Sequence, residues 1–312
     1  MTSSNFMNFI DRVLFNHESS CIQKFCLKCN EKTDLFRIYT WISVAIKRGV
    51  QELDIHFGSR GQDVDLPISL FTCPTLMVLK LGNEVRFNVP CSSYFRSLRI
   101  LHVSFEYLDN DWMQNLVRNC PVPEDLSIEG MVPNNNEELI IDFSTPALKS
   151  LKLDFDAEEY SKKIESTKQH ADRVLVILRE ICTVKYPSLG ADTMGALDYA
   201  RDNELLLFTN LIRLELHCWM HDEDNASEDF NFVEQEVVPC CLSMHLQEIE
   251  ISGVRGLSGG LRLMEYFLTN GSVLHKMTIN SCNSVEKQER EELLKKLLMF
   301  RRGSINCQIL FL

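Results

Sequence analysis

At 312 residues and 45% hydrophobic, the chain can bury a large core, and a repeat array of that size need not divide into separate domains. A formal net charge of -12 argues against nucleic acid or an anionic membrane as the main partner, because both reward clustered Lys and Arg. No apolar run is long enough to span a bilayer, and Asp11 and Arg12 interrupt what a secretion signal would need, so a cytoplasmic or nuclear location is expected.

Residues 5 to 16 place Phe6, Phe9, Ile10, Val13 and Leu14 along one helical face, as suits a first helix covering the open end of a stack of repeats. Ile22 to Leu27 then reads as a strand. Asp34 caps a helix in which Leu35, Ile38, Trp41, Ile42, Ala45 and Ile46 form a wide apolar stripe, and Gly49 stops it. Val50 to Ile55 begins another strand.

The clearest unit is Ser97 to Ile128. Leu98, Leu101 and Val103 follow a Leu-x-x-Leu-x-Leu spacing in which the last two point to one face of an extended segment and His102 and Ser104 to the other. Asp109 or Asn110 can cap a following helix carrying Trp112, Met113, Leu116 and Val117, which Asn119-Cys120-Pro121 ends. The same apolar triplet returns at Ile22/Phe25/Leu27, Val50/Leu53/Ile55, Leu76/Leu79/Leu81, Leu148/Leu151/Leu153, Leu211/Leu214/Leu216, Leu246/Ile249/Ile251 and Leu274/Met277/Ile279. Steps of about 22 to 28 residues dominate, with two longer steps of about 35 after Leu148 and Leu211 that mark insertions. Two copies carry proline: Pro123/Leu126/Ile128 in the first place, where a strand tolerates it, and Val184/Pro187/Leu189 in the middle place.

Cys73-Pro74, Cys120-Pro121 and Thr145-Pro146 each stand shortly before a triplet, where proline keeps the preceding segment from running on as helix. Ala171 to Ile181 reads as a helix, and the acidic run from His221 to Glu236 as a solvated loop. Beyond it come a strand at Leu246 to Ile251, a glycine-rich turn from Gly253 to Gly260, and a helix from Leu261 to Thr269 ended by Asn270-Gly271. A strand from Leu274 to Ile279, a charged helix from about Glu286 to Arg301 and a final strand from Ile305 to Leu312 complete the chain. The expected fold is α/β: a leucine-rich-repeat solenoid, horseshoe shaped, with parallel strands on the concave face and helices on the convex face.

Stacking such strands brings the alternate residues onto one surface: Asp54, His56, Lys80, His102, Ser104, Ser127, Glu129, Lys152, Asp154, Glu215, His217, Glu250, Ser252, Thr278 and Asn280. This is the candidate binding face, on which only a few side chains are expected to carry affinity, because hot spots are usually under a third of an interface. No catalytic residue, metal or cofactor is expected. Cys26-x-x-Cys29, with Cys21 and His17 nearby, lacks the second ligand pair of a structural zinc site, and adjacent Cys240 and Cys241 fit neither a zinc knuckle nor an easy disulfide, so these read as packing residues. The 12 cysteines are expected to be reduced, many as small buried apolar groups. Asp222-Glu223-Asp224 lacks the glycine and closing glutamate of a calcium loop, and Gly253 to Gly260 lacks the Gly-Lys-Ser/Thr ending of a phosphate loop. No serine stands in a Gly-x-Ser-x-Gly elbow, and a Cys/His hydrolase would need a reactive thiol of lowered pKa.

Asn8-Phe9-Ile10-Asp11-Arg12-Val13-Leu14 and Trp41-Ile42-Ser43-Val44-Ala45-Ile46-Lys47-Arg48-Gly49-Val50-Gln51-Glu52-Leu53 resemble the region that follows the F-box in plant F-box proteins with leucine-rich repeats and an FBD domain. Leu70 to Leu76 and Cys120 to Leu126 are similar to that family's repeat punctuation, and Val238 to Ile279 looks like the FBD itself, through Glu250 to Gly256 and Val273 to Ile279. Pro123 stands where the family usually has an apolar residue, and Gly260 where an acidic one is common. The resemblance implies repeats with a capping helix over residues 1–237 and FBD-like repeats continuing the solenoid over 238–312. It implies a protein-interaction module, the target-binding portion of an SCF-type ubiquitin-ligase receptor, with a Skp-type adaptor and cullin as partners only where an F-box is supplied. The F-box itself is expected to be missing from this chain, whose target is unknown and which could act as a competitor form. A small-molecule sensor built on the same repeats is the alternative, and would show a deep pocket with converging polar groups.

Overall fold

The computed structural model describes residues 3–16, 21–29, 34–57, 64–82, 85–86, 95–107, 115, 118–120, 123–132, 147–157, 184–190, 209–217, 238–254, 258–281 and 287–312. The chain divides into two compact units, Met1–Pro133 with Ile140–Leu148, and Asn134–Leu139 with Lys149–Leu312. Both are built on the leucine-rich-repeat plan.

The first unit opens with α1 (Ser3–Asn16), β1 (Lys24–Cys29), α2 (Leu35–Lys47) and β2 (Glu52–Phe57). A short pair, β3 (Val64–Asp65) with β5 (Val85–Arg86), lies in a small sheet of its own, and a single 3-10 stretch covers Ile68–Thr72. The main sheet continues with β4 (Val78–Gly82), β6 (Ile100–Tyr107) and β7 (Asp125–Val132). Strands β1, β2, β4, β6 and β7 lie side by side in that order, every pair parallel. In the second unit β8 (Ser150–Ala157), β9 (Tyr186–Leu189), β10 (Arg213–His217), β11 (Glu248–Val254), β12 (Lys276–Ser281) and β13 (Gln308–Phe311) form the same parallel ladder. Helices α3 (Cys240–Met244), α4 (Ser258–Asn270) and α5 (Lys287–Met299) connect its last strands.

The apolar triplets account for this arrangement. In the first unit Leu53, Ile55, Leu79, Leu81, Leu101, Val103, Leu126 and Ile128 are buried, and in the second Leu151, Leu153, Leu214, Leu216, Ile249, Ile251, Met277 and Ile279. Each of these strands contributes its two to the layer shared with the helices, where full burial of one such side chain is worth about 1.5–3 kcal/mol. Register is held by the backbone just ahead of the strands. The carbonyls of Gln23, Gln51, Met77 and Arg99, and of Lys185, Ile212 and Gln247, each accept two successive amides from the next repeat. Each stands directly after the first apolar residue of its triplet, and because the bond uses only backbone, the side chain there is free to vary.

Pro187, in the middle place of its triplet, lies inside a true strand. Tyr186 and Gly190 donate their amides to Lys149 and Leu153 on the β8 side, so by the period of two the nitrogen of Pro187 faces β10. The β9–β10 pairing accordingly begins only at Ser188 opposite Glu215. Asp34 caps α2 as its position implies, its Oδ1 accepting the Phe36 amide at 2.9 Å, and Gly49 ends the helix with φ of 69°.

Three expectations need correction. Helix α1 forms, but of its apolar residues Leu14 is buried while Phe9 is 61% exposed and Phe6 and Val13 are exposed too. Its inward side is polar: Asp11 accepts the Trp41 indole N–H at 2.7 Å and pairs with Arg37 at 3.0 Å, and Asn8 accepts from Arg37 at 3.1 Å. Trp41 is fully buried, and a buried indole N–H requires an acceptor, which fixes the helix with its aromatic stripe outward. The final strand is shorter than Ile305 to Leu312, and Ile305 is 90% exposed. The helix after β11 starts at Ser258, so Gly259 and Gly260 belong to its first turn rather than to the loop. The expected helices carrying Trp112 to Val117 and spanning Ala171 to Ile181, and the acidic run His221 to Glu236, lie outside the described residues save Asn115.

Candidate functional site

Opposite the apolar layer, each sheet presents a polar face ruled into rows by the strand register. In the first unit one row runs Cys26, Asp54, Lys80, His102, Ser127 across β1, β2, β4, β6 and β7. The row before it contains Lys24, Glu52, Val78, Ile100 and Asp125, and the row after it begins with Lys28, His56 and Gly82. Ser104 and Glu129 face each other on β6 and β7. In the second unit Lys152, Ser188, Glu215, Glu250 and Thr278 form the middle row, with His217, Ser252 and Asn280 beside it on β10, β11 and β12. Asp154 lies two residues beyond Lys152 on β8.

All the residues of the candidate set therefore stand on the polar faces of the sheets, divided between two units. Their pairings differ. In the first unit the contacts are local: Lys24 to Glu52 at 2.7 Å, His56 Nε2 to Asp54 Oδ1 at 2.8 Å, and His102 Nε2 to Asp125 Oδ1 at 3.3 Å. The His56 ring leans across the next strand at Gly82, where a Cβ would overlap its Nδ1, so the absent side chain makes room for the imidazole. In the second unit Gly190 does the same for the Asp154 carboxylate, which also pairs with Lys152 at 3.6 Å. Arg213 there gathers three carboxylates, Glu215 at 2.7 Å, Glu250 at 2.9 Å and Glu248 at 3.7 Å. Asn280 donates to both Glu250 Oε1 and Ser252 Oγ, and Ser188 Oγ lies 3.2 Å from His217 Nε2.

Several face residues are missing from the sequence reading: Lys24, Glu52, Asp125, Arg213 and Glu248. Glu52, Asp125, Arg213 and Glu248 each lie two positions before a residue that was expected there, so carrying the period of two one step toward the strand start finds them, while Lys24 lies two before Cys26, which was read as packing. Cys26 is not a packing residue but an exposed member of the polar row, with Sγ 3.7 Å from Asp54 Oδ2. Partial burial and the neighbouring Asp54 carboxylate both raise its pKa, the opposite of what a nucleophile needs. Of the adjacent pair, Cys240 is exposed, while Cys241 is buried and its thiol is pushed up to about 11, chiefly by desolvation. Among the described residues no group of three His, Cys, Asp or Glu is placed to hold a metal ion, and no helix is long and apolar enough to cross a membrane.

The comparisons with known proteins agree with this architecture. Residues 38–171 match the family described as FBD-associated F-box protein At5g56370, LRR repeats, and residues 234–279 match the FBD family. The chain is 27% identical to the F-box/FBD/LRR-repeat protein At5g62970 of Arabidopsis thaliana, over 97% of this chain and 81% of the relative. It is 23% identical to the F-box/FBD/LRR-repeat protein At5g56420, over 99% and 86%, and 26% identical to the FBD-associated F-box protein At5g56370, over 98% and 86%, both from the same plant. No solved structure matches the chain. Parallel strands in repeat register, a leucine-rich-repeat match followed by an FBD match, and likeness over nearly the whole chain make it similar to the plant F-box/FBD/leucine-rich-repeat proteins.

Proposed function

We propose that the chain is the target-recognition portion of an SCF-type E3 ubiquitin-ligase receptor, holding an as yet unnamed protein on the polar face of its repeats. Residues 1–237 form the repeat region in this reading and 238–312 its FBD-like continuation. The supporting observation is the ruled polar face itself. Parallel strands present rows of side chains whose positions are set by backbone register and backed by a buried apolar layer. A partner is then met by a rigid surface, and little ordering entropy is lost on binding. The chain acts by binding and not by catalysis, and it works in the cytoplasm or nucleus. The Skp-type adaptor and cullin are engaged through an F-box, so a form lacking one would hold targets without delivering them.

Affinity purification from plant cells tests this, using the 312-residue chain beside a form with an F-box fused to it, with mass spectrometry of what each retains. Proteins retained by both forms, with adaptor and cullin on the F-box form alone, are the expected result. Retention of no specific protein by either form would remove the receptor reading.

A further inference from the structure

Lys80 occupies the middle strand of the first unit's sheet, half-buried, with Asp54 and His102 as its register partners on β2 and β6. Both neighbours are committed elsewhere. Asp54 Oδ1 lies against His56 Nε2 and its Oδ2 accepts from Cys26, toward β1, while His102 turns to Asp125 on β7. Lys80 is left with no hydrogen bond or ion pair among the described residues. The His56 ring lies over Gly82, two residues along the strand from Lys80 and on the same face. On this face Lys80 is thus flanked by His56, whose ring reaches the Gly82 position along the strand, and by His102 across it.

The geometry points to Lys80 as the anchor for a carboxylate side chain of the bound protein, with the first unit's face taking an acidic segment of its partner. The inference rests on the reading of the polar face as the recognition surface and names the chemistry of its partner. A half-buried ammonium without a counter-charge has lost part of its hydration, so an incoming carboxylate regains more there than at a fully wetted lysine. The two histidines frame the approach. The carboxylates of Asp54 and Asp125 pair with these rings, and neither makes an ion pair with the ammonium.

The test is the anisotropy of a fluorescein-labelled oligoglutamate peptide titrated with the full chain at low ionic strength, where exposed charge pairs are least screened. Lys80→Ala is expected to weaken binding by at least roughly 10-fold, Lys80→Arg to retain it within about 3-fold, and Lys47→Ala, on the outside of α2, to change it by less than about 2-fold. Thermal unfolding of each variant verifies that it is folded. No binding by the parent chain, equal binding by Lys80→Ala, or binding only when the peptide carries phosphoserine in place of glutamate would each overturn the assignment. The two readings fail separately. Peptide binding independent of Lys80 while proteins are still retained in the affinity purification removes the carboxylate contact alone, and Lys80-dependent peptide binding with no protein retained by either form upholds the contact and removes the receptor reading.

Discussion

The polar faces of the two units obey one register rule and reach different electrostatics. In the first unit charges pair with near neighbours, Lys24 with Glu52, His56 with Asp54, His102 with Asp125, and Lys80 has no partner among the described residues. In the second, three carboxylates converge on Arg213 and an asparagine ties two strands together at Glu250 and Ser252. The repeat therefore dictates where a side chain stands, not what it meets. A face of separate pairs can be altered one residue at a time, whereas a face organised around one guanidinium responds as a group.

The largest effects are expected in the layer the two units share in kind. Trp41→Ala in the first unit removes a fully buried indole and the N–H donated to Asp11 Oδ1, for an expected loss of about 3–5 kcal/mol. Ile279→Ala in the second unit is expected to cost about 2–5 kcal/mol. Urea unfolding monitored separately in each unit checks both values. A loss that stays within the substituted unit would sharpen the comparison, and one spread evenly over both would weaken it.

Next comes a pH effect in the second unit. Burial raises the Cys241 thiol from 9.0 to about 11, so the folded state keeps its proton where the unfolded chain has lost it. The stabilisation is complete below pH 9.0 and disappears as the pH rises through about 11, an effect on the order of 2 kcal/mol. A Cys241→Ala variant should show a flatter decline across that window in denaturant titrations, and an unchanged slope would remove the desolvation account.

Smaller effects separate the two polar faces directly. Arg213→Ala leaves three carboxylates without their cation and is expected to cost about 1–2 kcal/mol, partly restored by salt, against at most about 0.5–1 kcal/mol for His102→Ala, since partly exposed pairs are individually weak. Equal costs would mean that the Arg213 cluster does not act as a group. Smallest of all is Phe9→Asp on the outer side of α1, expected to change stability by about 0.5 kcal/mol or less because that ring is 61% exposed. A loss above about 2 kcal/mol would show that the stripe is covered in solution.

The strands were legible because a period of two and a fixed triplet spacing depend on nothing outside the strand, and even Pro187 keeps its place since it lacks only the N–H that would face β10. The polar face was legible for the same reason, up to the residues nearest the strand starts. Which charges meet was not, because Arg213 reaches carboxylates on two strands that lie far apart in the sequence. The amphipathic pattern of α1 announced the helix but not its orientation, which depends on the hydrogen-bonding need of an indole 30 residues away. Cys26 was misread because a cysteine in a strand pattern is as compatible with the apolar layer as with the face, and only its alternation with Phe25 and Leu27 decides between them.

The most direct test of the recognition surface is photo-cross-linking from single positions. A benzophenone amino acid would be placed in turn at Ser104 on the first unit's face, at Ser252 on the second unit's face, and at Glu292 on the exposed side of α5, with the chain expressed in plant cells. The expected result is a discrete protein adduct from Ser104, from Ser252, or from both, and none from Glu292. Adducts from Glu292 alone, or equal adducts from all three positions, would contradict a partner held on the polar face of the repeats.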